Sequence, residues 1–149
     1  MSWDEILVRE DQAWAALATQ VARLSPAQRR TEGVVPGWSA DDLVWHCARW
    51  AEFAVERLAA MSDGPFADPF AAESDEHWEA ENQALAARSK VMSSQEIDGG
   101  VASIRSRIRE TVASFGEQGS EAKSLLVEET SVHYDEHAAE ICRFLDAQT

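Results

Sequence analysis

The sequence predicts an all-α protein: an antiparallel four-helix bundle with one extra short helix in the crossover connection. Two observations carry this. Apolar residues recur at spacings of three and four along four segments, the signature of helices burying one face. Serines stand just before those segments, where a hydroxyl can cap the first free N–H groups. No segment shows the strict alternation of a half-buried strand.

The first helix starts after Ser2, with Trp3, Ile6, Leu7, Trp14, Leu17, Val21 and Leu24 as its inward stripe. Ser25, Pro26 and Gln28 open one short turn, and Gly33, Pro36 and Gly37 then mark a loop. Ser39 caps the second main helix, with Asp41 and Asp42 in its electropositive first turn. Its stripe is Leu43, His46, Cys47, Trp50, Ala54, Leu58 and Met61.

The run SDGPFADPF breaks the chain at Gly64, Pro65 and Pro69. A weaker helix follows over about Ser74 to Ser89, with Trp78 and Leu85 as its larger apolar residues. Ser93 and Glu96 form a capping box for the next helix, which carries Val101, Ile104, Ile108, Val112 and Phe115 and stops near Gly116 and Gly119. The Gly99–Gly100 pair weakens its start. The last helix runs from about Ser120 to Ala147. No repeat or linker divides the chain, so residues 1–149 read as one domain.

Charge narrows the partners. The chain has 13 basic against 27 acidic residues, a net charge of −14, which disfavours nucleic acid and anionic membrane surfaces. No segment has the length and apolarity of a membrane span. MSWDEILVRE lacks the basic and apolar regions of a secretory signal, and the two cysteines, Cys47 and Cys142, do not suggest a disulfide framework. The expected location is the cytoplasm.

The last helix places Leu126, Thr130, His133, His137, Ile141 and Phe144 or Leu145 on one stripe. His133 and His137 are one turn apart, the spacing that presents two nitrogens to one metal ion. His46 also lies on an inward stripe, between Leu43 and Trp50. Three imidazoles in apolar surroundings leave unsatisfied polar groups, and a shared divalent cation removes that cost. The alternative is three separate core histidines, each hydrogen-bonded locally. His77, between Glu76 and Trp78 beside a loop, reads as a surface residue.

The segment VPGWSADDLVWHCARW resembles the start of the second helix in the DinB-like superfamily. Gly37, Trp38, Ser39, Asp42, Leu43, His46 and Trp50 carry that likeness, and HYDEHAAEI matches the paired ligands of the family's last helix. The resemblance implies a four-helix bundle holding one divalent metal through His46, His133 and His137. Some members are mycothiol-dependent maleylpyruvate isomerases with a second, C-terminal domain. This sequence ends at Thr149 without one, so isomerisation is not the expected reaction. Other single-domain members resemble bacillithiol S-transferases.

Three protein ligands leave a coordination position open, the mark of a catalytic site. Zn²⁺ and Ni²⁺ both suit imidazole ligation. The expected function is a metal-dependent S-transferase joining a low-molecular-weight thiol, such as mycothiol or bacillithiol, to a small electrophile. The alternatives are a metal-dependent hydrolase and a non-enzymatic metal-binding stress-response protein. Glu129, one turn before His133, is the candidate general base. Trp50 is the candidate substrate wall, with Trp45 and Trp38 as further lining, and Cys47 reads as a buried thiol. Arg105 and Arg109 read as a solvated helix face or as an attractor for an anionic substrate. Related proteins often pair, so a homodimer is also expected.

Overall fold

A computed structural model describes residues 1–62, 73–115 and 119–148 of the chain. The Pro- and Gly-rich break at 63–72 and the stop at Gly116 lie outside the described residues. The helices are α1 (Trp3–Ala22), α2 (Pro26–Arg30), α3 (Ala40–Ser62), α4 (Asp75–Lys90), α5 (Ser94–Ala113), α6 (Ser120–Val127) and α7 (His133–Ala147). A π-helical turn, Glu128–Val132, joins α6 to α7 without a break. Among the described residues no helix is long and apolar enough to cross a membrane.

The serine caps form as the sequence requires. Ser2, Ser25 and Ser93 each accept from the backbone N–H three residues on, while the Glu or Gln there reaches back. Ser39 does the same with Asp42, whose Oδ2 lies 2.8 Å from the Ser39 N–H. Each box satisfies two free amide donors at the start of its helix.

Side-chain pairs give the helix directions. Trp3 stacks against Phe115 and Glu10 meets Arg105, so α1 and α5 run antiparallel. Ser94 bonds Asp41, and Trp45 lies over Gly100, so α3 and α5 run parallel. The crossover through α4 produces this by carrying the chain back along α3, where Trp50 meets Asn82 and Asp42 meets Lys90. Trp14 packs edge-on against Tyr134 and Arg23 approaches Cys142, so α1 and α7 also run parallel.

The core joins Ile6 and Leu17 of α1, Leu43 and Leu58 of α3, Ile97 and Ile108 of α5, Leu126 of α6 and Ile141 of α7, all essentially excluded from water. A charged residue of α1 lies against them. Glu10 is fully buried, and Arg105 grips it with two bonds of 2.7 and 3.0 Å while Arg109 adds a third at 2.8 Å. Asp11 bonds both arginines as well. Arg105 and Arg109 therefore belong to an ion-pair seam between α1 and α5, and are engaged by acids of this chain.

Gly100 lies inside α5, which runs through both glycines from Ser94. A Cβ on Gly100 would stand 2.8 Å from the Trp45 ring, so the glycine is where α5 admits that indole.

Candidate metal centre

The turn before α3 prepares the site. Pro36 and Gly37 occupy the centre of a Val35–Trp38 turn closed by a 2.9 Å bond from Trp38 N–H to Val35 C=O, with Gly37 at φ +80°. That positive φ is the conformation a type II turn requires at its third residue, and glycine adopts it without strain. Lys90 holds the turn by donating to Gly37 C=O at 3.0 Å and to Asp42 at 2.8 Å. Trp38 is thereby set with its ring 5.0 Å from the His46 ring, edge to face.

His46 of α3 and His133 and His137 of α7 converge. The His46 and His133 Nε2 atoms are 3.0 Å apart, and those of His133 and His137 are 2.9 Å apart. One ligand atom from each of the three lies within 4.8 Å of the others. Tetrahedral ligation at 2.0–2.1 Å sets neighbouring donor atoms about 3.3 Å apart, and the His46–His133 and His133–His137 separations come within a few tenths of an ångström of that value, while all three donors stay within 4.8 Å of one another.

Protonation argues the same way. Burial, reinforced by the neighbouring rings, pushes the His46 pKa down to about 2, and burial pushes that of His133 to about 3. Both rings are neutral at neutral pH. The His137 Nδ1–H donates to Glu140 at 2.6 Å, an arrangement that in a neutral ring puts the lone pair on Nε2. No placement of the remaining protons gives both Nε2···Nε2 contacts an ordinary hydrogen bond. If His46 donates to His133, two lone pairs face each other at the second contact. If His133 donates to one neighbour, its other contact is left without a proton. A single cation accepts all three lone pairs at once. The Nδ1 atoms of His46 and His133 have no hydrogen-bond partner among the described residues.

The other expected residues sort clearly. Trp50 flanks the cluster, its ring 5.9 Å from His46 and 6.2 Å from His133, with its Nε1–H donating to Asn82 of α4 at 3.0 Å. Trp45 does not join it, being committed to Gly100. Cys47 is fully buried, burial pushes its thiol pKa up, and it contributes nothing to the cluster. Glu129 lies half-buried in the π turn. Burial pushes its carboxyl pKa up against the attraction of Arg57. Half-buried His77 pairs with Glu73 at 3.3 Å.

Sequence reasoning missed Glu140 as the partner of His137. Its signal was the HAAE spacing, which puts a carboxylate three residues after the histidine on the same helix face. The reading of the last helix as one uninterrupted α stripe is also corrected. The π turn shifts the phase, so Tyr134 takes the buried centre at 1 % exposure and His133 is half-buried beside it.

Residues 11–136 match the family described as the mycothiol maleylpyruvate isomerase N-terminal domain. The chain belongs to this family. It is a DinB-like superfamily domain, as the residues around His46 and His133 implied. His46 and His133 lie inside the matched span of this DinB-like domain, whereas His137 and Glu140 lie just beyond it. No curated protein and no solved structure matches the chain.

Proposed function

We propose that this DinB-like domain is a metal-dependent S-transferase, joining a low-molecular-weight thiol such as mycothiol or bacillithiol to a small electrophile. The observation that carries this is the convergence of three Nε2 atoms from two helices on one point, with separations of 2.9 and 3.0 Å. Three protein donors leave a position for an exogenous ligand. Bound there, a divalent cation such as Zn²⁺ or Ni²⁺ supplies a Lewis acid that brings a coordinated thiol or water to deprotonation near neutral pH.

The chain's own residues do the rest. Glu140 orients His137. Trp38 and Trp50 wall the histidines with apolar rings that keep bulk water from the reacting atoms. Glu129, its pKa raised by burial, is the base that takes the thiol proton as the S–H bond breaks. It returns that proton to the product as the S–C bond forms. The family's description names a mycothiol enzyme, which supports a thiol as co-substrate.

The test is elemental analysis of the purified protein, followed by a screen for thiol consumption with small electrophiles. Expected are one divalent ion per chain and turnover that requires added thiol. His46→Ala should abolish both. Turnover with water alone would establish a hydrolase instead. A protein that holds metal and turns over nothing would leave a binding role only.

A further inference from the structure

The join between α6 and α7 is built differently from the rest of the helix. Buried residues come as Leu125–Leu126, then Thr130–Ser131, a step of five; beyond them come Tyr134, His137–Ala138 and Ile141, at ordinary helical spacing. A step of five is what a π turn supplies. In such a turn the N–H groups bond one residue further back, so a carbonyl loses its α-helical donor. Two hydroxyls add donors to carbonyls at the start of this turn: Thr130 donates to Leu126 C=O at 2.5 Å and Ser131 to Val127 C=O at 3.2 Å. Both residues are buried, so water does not offer the same service. The residue that follows the turn is His133.

We propose that the Glu128–Val132 π turn, held by the Thr130 and Ser131 hydroxyls, is a positioning device that sets the height of His133 and His137 against His46. This rests on the metal-site reading above. α6 is fixed in the core by Ala122, Leu125 and Leu126, and α7 by Tyr134, Ile141 and Leu145. Removing one residue converts the five-step to four and keeps both buried faces in phase as a continuous α-helix. It also narrows the turn to α geometry, which re-seats the backbone leading into His133 relative to α3. A ligand set tolerates about 0.5 Å. The bundle can therefore survive a closed turn while the donor set does not.

The test uses the full chain freed of metal, with Zn²⁺ titrated against a chromophoric chelator and Co²⁺ as a spectroscopic probe. Two variants are compared with wild type: deletion of the exposed Glu128, and Thr130→Val combined with Ser131→Ala. Wild type should bind Zn²⁺ and give the intense visible bands of four-coordinate Co²⁺. The variants should keep helical circular dichroism and cooperative unfolding, yet bind Zn²⁺ about 10–100-fold more weakly, with weakened or shifted Co²⁺ bands. Thr130→Ser, which keeps a hydroxyl, should behave as wild type. If the deletion does not fold, the hydroxyl variant decides. Wild-type affinity and Co²⁺ spectrum in a folded variant overturn the proposal. So does loss of cooperative folding in both, since the turn is then a folding element only. Failure of wild type to bind either ion removes the metal reading itself.

Discussion

Glu140 accepts the Nδ1–H of His137 at 2.6 Å, and so fixes which nitrogen of that ring is free to bind. Carboxylates in this relation hold a ligand's tautomer and raise its basicity, with effects of about 10–100-fold on metal affinity. Glu140→Gln keeps the shape, but its amide has an NH₂ as well as a carbonyl and carries no charge. Zn²⁺ affinity should fall by about tenfold for Gln and further for Ala, while the metal-free protein unfolds at nearly the wild-type midpoint. Chelator competition and thermal unfolding, read side by side, check this.

The histidine cluster was legible because polar residues on an apolar stripe stand out. His46 sits among Leu43, Cys47 and Trp50, and the pair in the last helix repeats that contradiction. The caps were legible because Ser with Glu or Gln three residues later has one local meaning. The π turn was not. Thr130 and Ser131 read as ordinary helix residues, and only the carbonyls they serve reveal the extra residue. Glu10 was passed over on α1's stripe, although Arg105 and Arg109, one turn apart, are the partners a buried acid needs. Trp45 was placed by side-chain type beside the histidines, whereas Gly100 decides where its ring goes.

Gly99 and Gly100 offer a paired test. Both lie inside α5, where Gly→Ala normally gains about 1 kcal/mol from helix propensity. A Cβ on Gly99 meets nothing within 4 Å, and Gly99→Ala should stabilise by roughly 0.5–1 kcal/mol. A Cβ on Gly100 meets the Trp45 ring at 2.8 Å. Overpacking costs of about 1–3 kcal/mol exceed the propensity gain, so Gly100→Ala should destabilise. Urea midpoints that move in the same direction for both would show that the Trp45 ring yields freely.

Glu10 ties stability to pH. Burial raises its pKa, but the hydrogen bonds and charges of Arg105 and Arg109 outweigh this and hold it below the usual carboxylate value. The unfolded chain then binds the proton more readily than the folded one. Glu10 contributes stability above its unfolded pKa and loses that contribution as pH falls through the folded value. Glu10→Gln should cost about 2–3 kcal/mol at pH 7, less than the 3–5 typical of a fully buried pair because the arginines keep some solvent contact. The gap between wild type and variant should narrow below about pH 4. Denaturation at pH 7, 5 and 3 reads it directly, and a gap that widens in acid contradicts the assignment.

Glu129, the proposed base, offers a test that separates chemistry from ligation. Its carboxylate is not among the three converging donors, yet it shares the π turn that leads into His133. Desolvation favours its protonated form, while Arg57 favours the carboxylate. That balance brings a carboxyl toward the pH at which it can both take and return a proton. Glu129→Gln removes the proton exchange and retains the volume. Zn²⁺ affinity should stay within about threefold of wild type, since no donor is lost. Thiol-dependent turnover should fall by about 10²–10⁴, the range for removal of a general base. An equal loss in affinity and rate would place Glu129 with the metal's supports. Turnover unchanged at every pH would leave the thiol proton to another acceptor.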